Sequence, residues 1–233
     1  MQNGSYLDRR DQLTEYFDRT AAAAWKRLTS DAPVGRIRAT VRAGRDAMRD
    51  TLLSWLPEDM TGMRLLDAGC GTGALALAAA NRGARVIAVD VSPTLIELAR
   101  ERLPENLHQQ VSFHVGDMLD AGFGEVDYLV AMDSMIHYEP ADMVEMLTDW
   151  APRVSKAMMM TFAPRTPALS MMHSVGRLIP SRSHRAPAII PVMDSDLCNR
   201  VEKEPALAQW AITQTERISG GFYKSQALEL RRR

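Results

Sequence analysis

Hydrophobic and polar positions follow two different patterns in the two parts of this chain. As far as about Leu56, charged and apolar residues alternate at helical spacing, and no strand-like run occurs. From Arg64 onward, short apolar runs alternate with segments of helical spacing. Strands that alternate with helices are typical of a parallel sheet with right-handed crossovers, so this second part predicts an α/β domain.

Seven apolar runs predict strands, over residues 64–67, 85–90, 111–115, 126–132, 156–162, 210–218 and 222–231. Helices are predicted over residues 74–81, from a Ser92 cap to about 103, over 141–151, 168–178 and 194–202, the last with Asp194 as its N-cap. Ser219-Gly220-Gly221 is typical of a hairpin turn, which makes the last two strands antiparallel. The predicted fold is therefore a Rossmann-like, doubly wound, seven-stranded sheet with an antiparallel C-terminal hairpin.

Length and composition narrow the class of protein. The chain has 233 residues, of which 46% are hydrophobic and 24% charged, as expected for one globular domain with a lid. We expect residues 1–57 to form a helical N-terminal lid, residues 58–233 the main domain, and the proline-rich segment 163–191 an inserted substrate arm. A net charge of −1 argues against nucleic-acid binding.

Localisation signals point to the cytoplasm. No run reaches the roughly 18 apolar residues that a membrane span needs, and the polar residues 1–11 do not resemble a signal peptide. We therefore expect a cytoplasmic protein with at most peripheral membrane contact. The two cysteines, Cys70 and Cys198, are expected to be reduced.

Acids and glycines lie where the predicted parallel strands end, which is where open α/β sheets bind ligands. Asp67 and the loop Gly69-Cys70-Gly71-Thr72-Gly73 follow the first strand, Asp90 ends the second, Gly116-Asp117 follows the third and Asp133 the fourth. Glycines allow a backbone to approach a ligand closely and to turn tightly. Gly69 and Gly71 should thus pass under a nucleotide, and Gly73 should begin the next helix.

Two kinds of nucleotide fit this pattern. Gly69, Gly71 and Ala74 match the fingerprint of nicotinamide enzymes, and Asp90 could hold ribose hydroxyls in either case. S-adenosylmethionine is favoured because Asp67 would repel a pyrophosphate but attract a cationic aminoacyl group. Gly73 moreover completes a spacing that resembles methyltransferase motif I. Asp117 resembles the acid with which such methyltransferases recognise the adenine amino group. Any single acid could instead be a turn former, but the ordered set predicts a methyltransferase.

The predicted sites for S-adenosyl-L-methionine, as cosubstrate, are Asp67, Gly69, Cys70, Gly71, Gly73, Asp90, Val91, Gly116, Asp117, Met118 and Asp133.

Four segments outside motif I resemble the magnesium protoporphyrin IX methyltransferases of chlorophyll and bacteriochlorophyll biosynthesis. They are Tyr16-Phe17-Asp18-Arg19-Thr20 with Trp25, Asp133-Ser134-Met135-Ile136-His137-Tyr138, Thr161-Phe162-Ala163-Pro164-Arg165-Thr166-Pro167 and Gly221-Phe222-Tyr223-Lys224-Ser225. The resemblance runs nearly end to end. One departure is the alanine-rich run after Thr20, where plant and cyanobacterial relatives have a glycine-aromatic pair.

This resemblance implies methylation of a propionate of magnesium protoporphyrin IX to the monomethyl ester. A propionate is ionised near pH 7 and needs no base, so the protein supplies positioning and a dry pocket. The resemblance implies Tyr16 as a catalytic residue that closes over the cofactor. It implies His137 as a second one, which contacts the carboxylate or the metalloporphyrin; a purely structural role is the alternative for His137. The porphyrin-carrying subunit of magnesium chelatase is a candidate partner.

Several residues have both a substrate-binding and a structural interpretation. Methionines at 158–160 and 171–172 could contact a porphyrin face or fill the core, and His173 and His184 could bind the magnesium or lie on the surface. Arg165, Arg182 and Arg185 could pair with the second propionate. Five arginines at 36, 38, 42, 45 and 49 suit a solvated helix face, or a helix beside an acidic substrate. No cluster has the spacing of a metal site of the protein's own.

Two other functions share the same cofactor motifs. One is an O- or N-methyltransferase of another small molecule, such as a quinone. The other is a non-catalytic, S-adenosylmethionine-binding subunit that hands porphyrin onward.

We expect Asp90→Ala nearly to abolish cofactor binding, because the ribose hydroxyls would lose a charged acceptor worth about 1.5–3 kcal/mol. Calorimetric titration with S-adenosylmethionine measures the change. An unchanged affinity would mean that the ribose lies elsewhere.

Overall fold

The computed structural model describes residues 4–16, 35–165 and 188–233. Several predictions fall outside these ranges. They are the segment from Phe17 to Trp25, the helix at 168–178, and the side chains of Met171, Met172, His173, Arg182, His184 and Arg185.

A seven-stranded sheet forms the centre of the protein, as predicted. Its strands are β1 (Arg64–Ala68), β2 (Arg85–Asp90), β3 (Val111–Val115), β4 (Val126–Ala131), β5 (Val154–Phe162), β6 (Trp210–Gly220) and β7 (Tyr223–Arg232). Their order in the sheet is β3-β2-β1-β4-β5-β7-β6. The first five strands are parallel, and β7 pairs antiparallel with both β5 and β6. The order of the strands reverses between β1 and β4, since β2 and β3 lie on one side of β1 and β4 and β5 on the other, so the carboxyl ends of these strands open a crevice.

Six α-helices surround the sheet in the described residues. They are α1 (Gly4–Tyr16), α2 (Arg36–Trp55), α3 (Ala74–Asn81), α4 (Pro93–Glu101), α5 (Pro140–Trp150) and α6 (Asp194–Lys203). Ser92 caps α4 as predicted, accepting a hydrogen bond from the backbone nitrogen of Leu95 at 3.3 Å. The predicted strands and helices thus agree with the structure to within about two residues in most cases.

Two local predictions were wrong. Asp194 is the first residue of α6 rather than its cap, because the chain is still extended at Met193, which holds the N-cap position. The carboxylate of Asp194 pairs instead with Arg217 of β6. The hairpin turn consists of Gly221 and Phe222, since pairing continues to Gly220 opposite Tyr223. Gly221 has a φ of +54°, a conformation that favours glycine.

The sheet separates two hydrophobic clusters. One is built with α1, α5 and α6, and the other with α2, α3 and α4. Met158 and Met160 belong to the first cluster and Met159 to the second, and all three have no exposed surface. Of the two interpretations that the sequence leaves open for these methionines, core filling is the one that holds, because β5 is covered on both faces.

Helix α2 packs across the C-terminal hairpin. A Cβ atom at Gly44 would collide with the ring of Tyr223, so glycine allows helix and strand to approach this closely. Met48 and Leu52 lie buried on the same helix, and the Trp55 carbonyl accepts a 2.9 Å hydrogen bond from Arg231. No helix in the three described stretches is long and apolar enough to cross a membrane.

We expect Gly44→Ala to destabilise the protein by about 1–3 kcal/mol, because the added methyl group would push α2 away from β7. Urea unfolding followed by circular dichroism measures this. Gly4→Ala is a suitable control, since a Cβ at Gly4 meets no atom within 4 Å. Equal stability of the two variants would show that the helix shifts without cost.

Candidate functional site

A cavity opens at the carboxyl ends of β1, β2 and β4, with about 690 Å³ of empty space that includes part of the open solvent. This edge of the sheet is where open α/β folds bind ligands. Eight of the residues predicted as site residues line it: Gly69, Gly71, Asp90, Val91, Gly116, Met118, Asp133 and His137. Tyr16, Asp67, Cys70, Gly73 and Asp117 are not among the described residues that line it. The cavity therefore brings together most, but not all, of the predicted site.

The glycine loop forms the floor of this cavity. Gly69, Gly71 and Gly73 all have positive φ angles, of 81°, 55° and 79°. A Cβ at Gly69 would collide with Ser134, and one at Gly73 would come within 2.8 Å of Phe113. A Cβ at Gly71 would meet no protein atom within 4 Å, so this backbone faces open space. Gly73 thus permits close helix–sheet packing, as the sequence predicts, whereas the contact of Gly71 with a ligand stays a prediction.

Asp90 connects the end of β2 to the glycine loop. Its carboxylate accepts hydrogen bonds from the backbone nitrogens of Gly71 at 2.8 Å and Ser92 at 3.0 Å. Burial raises the pKa of Asp90, while backbone donors, including Ser92 and Gly71, act in the opposite direction. The carboxylate thus both supports the loop and faces the cavity.

Asp67 lies beneath the glycine loop and is only 2% exposed. Its pKa is raised to about 7, chiefly by burial and also by the negative charge of Asp90, while a hydrogen bond from the Ala76 backbone acts in the opposite direction. Its Oδ2 atom has no hydrogen-bond partner among the described residues. The backbone of α3 therefore holds one side of the carboxyl group, and its contact with a cofactor stays a prediction.

Asp117 is held by helix α1. Its carboxylate accepts hydrogen bonds from the Tyr6 hydroxyl at 2.5 Å, from Arg10 at 3.0 Å and from the backbone nitrogen of Leu119 at 2.9 Å. The Tyr6 ring stacks on Tyr138 with 5.3 Å between the ring centres. Burial raises the pKa of both tyrosines, so Tyr6 remains protonated and donates to the carboxylate.

Tyr6 and Arg10 were not among the residues predicted for the site, although their spacing carried a signal. Tyr6, Arg10 and Leu13 are separated by four and three residues, so they share one helix face, and all three line the cavity. Tyr16 follows Tyr6 by ten positions, a rotation of about 280° around the helix. Tyr16 is the last residue of α1; it is half-buried and lies at the side of the helix face that Tyr6, Arg10 and Leu13 share.

Asp133 is the meeting point of four elements. It is the only non-glycine residue with a positive φ in the described chain, at 55°. Its backbone nitrogen donates to Thr161 Oγ1 at 2.7 Å, and its Oδ1 accepts from the Tyr223 hydroxyl at 2.9 Å. Its Oδ2 lies 3.0 Å from Arg45 Nη1.

Arg45 also lines the cavity. Arg36 and Arg38 are exposed, as the solvated interpretation predicts, so Arg45 is an exception on this helix that the sequence analysis did not single out.

His137 lines the cavity but is only 7% exposed. Its Nδ1 lies 3.2 Å from the carbonyl oxygen of Ala188, which can only accept, so Nδ1 carries the hydrogen. Burial lowers its pKa, and the Ala188 carbonyl and Asp133 raise it less. Ile190 also donates a backbone hydrogen bond to Ile136 at 2.9 Å. The chain that follows residues 166–187 thus supports the histidine.

The two cysteines and Arg165 are not among the described residues that line the cavity. Both cysteines are free thiols. The Arg165 side chain is exposed, while its backbone bonds to Val192. No group of three or more His, Cys, Asp or Glu residues in the described part of the chain could hold a metal ion.

Two family models match the chain: "Magnesium-protoporphyrin IX methyltransferase C-terminus" over residues 131–232, and "Methyltransferase domain" over residues 65–156. The magnesium-protoporphyrin O-methyltransferase of Rhodobacter capsulatus is 46% identical over 227 residues, which are 97% of this chain and 98% of the relative. A ubiquinone biosynthesis O-methyltransferase of Xanthomonas oryzae pv. oryzae is 30% identical over 71% of this chain and 69% of its own length.

Among solved structures, magnesium protoporphyrin IX methyltransferase from Synechocystis PCC 6803 with bound SAH superimposes with a TM-score of 0.84. It is 26% identical, and the match covers 97% of this chain and 100% of that one.

The wild-type protein should become less stable as the pH rises, because of Asp67. We expect Asp67→Asn to remove this dependence on pH. The pKa of Asp67 is about 7 in the folded protein and about 3.9 in an unfolded chain. The folded form therefore gains stability from the bound proton below pH 4, and this gain disappears as the pH rises through 7. Between pH 4 and 7.5, the wild-type free energy of unfolding should fall by about 3 kcal/mol more than that of the variant.

Urea unfolding at a series of pH values tests this prediction. Asp127→Asn is the control: although partial burial acts to raise the pKa of Asp127, hydrogen bonds from Arg64, Ser155 and Lys156 lower it. The stabilisation by Asp127 disappears only as the pH falls, so this control should follow the wild type above pH 4. Parallel profiles of wild type and Asp67→Asn would contradict the prediction.

Proposed function

Since the chain belongs to the magnesium-protoporphyrin O-methyltransferase family, we propose that it methylates a propionate carboxylate of magnesium protoporphyrin IX to the monomethyl ester. It is an S-adenosylmethionine-dependent O-methyltransferase of (bacterio)chlorophyll biosynthesis. The observation that carries the proposal is the 46% identity to the Rhodobacter capsulatus enzyme over nearly the whole of both chains. The family-specific match over residues 131–232 includes Asp133, His137 and Tyr223.

The cavity fits S-adenosylmethionine. The backbones at Gly71 and Gly116 face open space, because a Cβ at either would meet no atom within 4 Å. Asp90 would accept from the ribose hydroxyls, and the Gly116–Met118 segment, with Asp117, would border the adenine. The sulfonium of the bound cosubstrate supplies an electrophilic methyl group. The remaining requirement is an acceptor in line with the S–methyl bond in a pocket without water.

The acceptor needs orientation rather than a base, because a propionate is already ionised at neutral pH. We assign this orientation to His137 and Tyr16. His137 is neutral at pH 7 because burial lowers its pKa, so it can contact the substrate without neutralising the nucleophile. Tyr16 ends the helix that Tyr6 and Arg10 attach to Asp117, and this attachment supports its assignment.

Residues 1–57 act as the lid and residues 163–191 as the substrate arm within the methyltransferase domain 58–233. Two observations support this division. Tyr6, Arg10 and Leu13 of α1 form part of the cavity wall, and Ala188, near the end of the arm, holds His137.

Two further proposals rest on the sequence alone. From the family resemblance, the porphyrin-carrying subunit of magnesium chelatase delivers the substrate. From the polar residues 1–11 and the lack of a long apolar run, the enzyme works in the cytoplasm with at most peripheral contact with a membrane.

A quinone-type methyltransferase is the second candidate, because the Xanthomonas ubiquinone enzyme is 30% identical. That similarity covers 71% of this chain, against 97% for the Rhodobacter capsulatus relative. The porphyrin substrate is therefore favoured. A non-catalytic, porphyrin-carrying subunit would bind S-adenosylmethionine without turnover.

A methyl-transfer assay with labelled S-adenosylmethionine and the purified full chain tests the function. We expect a monoester to form from magnesium protoporphyrin IX in preference to metal-free protoporphyrin IX. Tight cofactor binding without ester from either porphyrin would favour the quinone-type or the non-catalytic interpretation.

The same assay tests the two proposed catalytic residues. Tyr16→Phe and His137→Gln should lower kcat by about 10- to 100-fold, since both changes disturb the acceptor. Cofactor affinity should stay within about twofold if the residues act on the acceptor alone. His108→Gln, an exposed histidine outside the cavity, is the matched control. Wild-type kcat in both variants would remove them from the mechanism.

A further inference from the structure

We propose that Arg45 is the residue of this cavity that binds a ligand's carboxylate group. The inference deepens the proposed function, and rests on it for the identity of the ligands. Both proposed ligands carry a carboxylate: the aminoacyl end of S-adenosylmethionine and the propionate of the porphyrin.

Among the described residues, Arg45 and Arg10 are the two arginines of the cavity wall. Arg10 contacts Asp117 and Asp11, at the adenine end of the proposed cofactor position. Asp117 follows β3 and Asp133 follows β4, and β2 and β1 lie between these strands, so Arg45 lies at the opposite end, where its Nη1 is 3.0 Å from Asp133 Oδ2. Ser134 follows Asp133 and packs directly against Gly69 of the glycine loop.

The direction of the proposed cofactor brings its aminoacyl group to Arg45. With the ribose at Asp90 and the adenine at Gly116–Met118, the rest of the molecule extends past Gly69 toward Ser134. An aminoacyl group carries one carboxylate and one ammonium. The Arg45–Asp133 pair presents one cation and one anion at this end of the cavity, so its charges are complementary to those of the ligand.

Arg45 is held in place before any ligand binds. Its partner Asp133 is fixed by Tyr223 and Thr161, and its chain neighbour Gly44 packs on the Tyr223 ring. The guanidinium has five N–H donors in a planar fork that suits carboxylates. The ion pair to Asp133 therefore anchors a planar group whose shape suits a ligand's carboxylate.

A purely structural role for Arg45 would affect every ligand alike, so the test compares ligands with and without the carboxylate. Arg45→Gln is titrated calorimetrically with S-adenosylmethionine, with decarboxylated S-adenosylmethionine and with 5′-methylthioadenosine, which lacks the aminoacyl carboxylate. The KM for magnesium protoporphyrin IX is measured in parallel. Arg49→Gln, one turn further along α2 and paired with Asp46, is the matched control.

Two results support the proposal and identify the source of the carboxylate. For the cofactor, S-adenosylmethionine should bind about 10- to 100-fold more weakly to Arg45→Gln, while the two ligands without a carboxylate bind as to the wild type. For the substrate, the porphyrin KM should rise about 10-fold or more, with all cofactor affinities unchanged. Equal weakening for all three cofactor ligands, or no change in any constant, would overturn it.

A second variant protects the test against misfolding. If Arg45→Gln does not fold, Arg45→Lys keeps the positive charge beside Asp133 but lacks the planar fork. Its affinity for S-adenosylmethionine should then fall by more than its affinity for the decarboxylated ligand, and equal losses would again overturn the proposal. A wild-type protein that neither binds S-adenosylmethionine nor forms ester would contradict the proposed function, not this inference.

Discussion

The site depends on how the chain leaves β4. At Asp133 the backbone turns into the left-handed region, which a residue with a Cβ seldom adopts unless its surroundings hold it there. Thr161 binds its backbone nitrogen, while Tyr223 and Arg45 bind its carboxylate, so β5, β7 and α2 all meet at this residue. The turn that follows carries Ser134 against Gly69 and His137 into the cavity wall. Both halves of the proposed reaction site, cofactor and acceptor, therefore rest on one network of hydrogen bonds.

The acids around the glycine loop have different tasks because their surroundings differ. Asp67 is buried below the loop and has a raised pKa, whereas Asp90 borders the cavity and receives two backbone hydrogen bonds. Asp117 is occupied by Tyr6 and Arg10 of the N-terminal helix. A cationic sulfonium cosubstrate would thus bind near several carboxylates. Backbone amides hold the carboxylate of Asp90, and a tyrosine and an arginine hold that of Asp117. This charge distribution suits a cation better than a pyrophosphate.

The fold could be predicted because each element carries its own local signal. Apolar runs mark the strands, Ser92 and Pro93 mark the start of α4, and the glycine triplet marks the loop. Local signals were insufficient where one residue's role depends on its neighbours in space. The sequence left two interpretations of Met158–160 open, and the layers on both sides of β5 decide that all three are core residues. Asp194 has the composition of a cap, but the extended chain at Met193 begins the helix one residue later.

The sequence by itself determined the sheet, the positions of the glycine loop and of most acids at its edge, and the family. These follow from periodicity and short motifs, which depend on contacts within a few residues. Only the tertiary structure decided which side chains share the cavity. Tyr6 meets Asp117, and Arg45 and Tyr223 meet Asp133, across separations of roughly 90 to 110 residues. The sheet order decides these pairs, because side chains far apart along the chain meet only when packed layers bring their elements together.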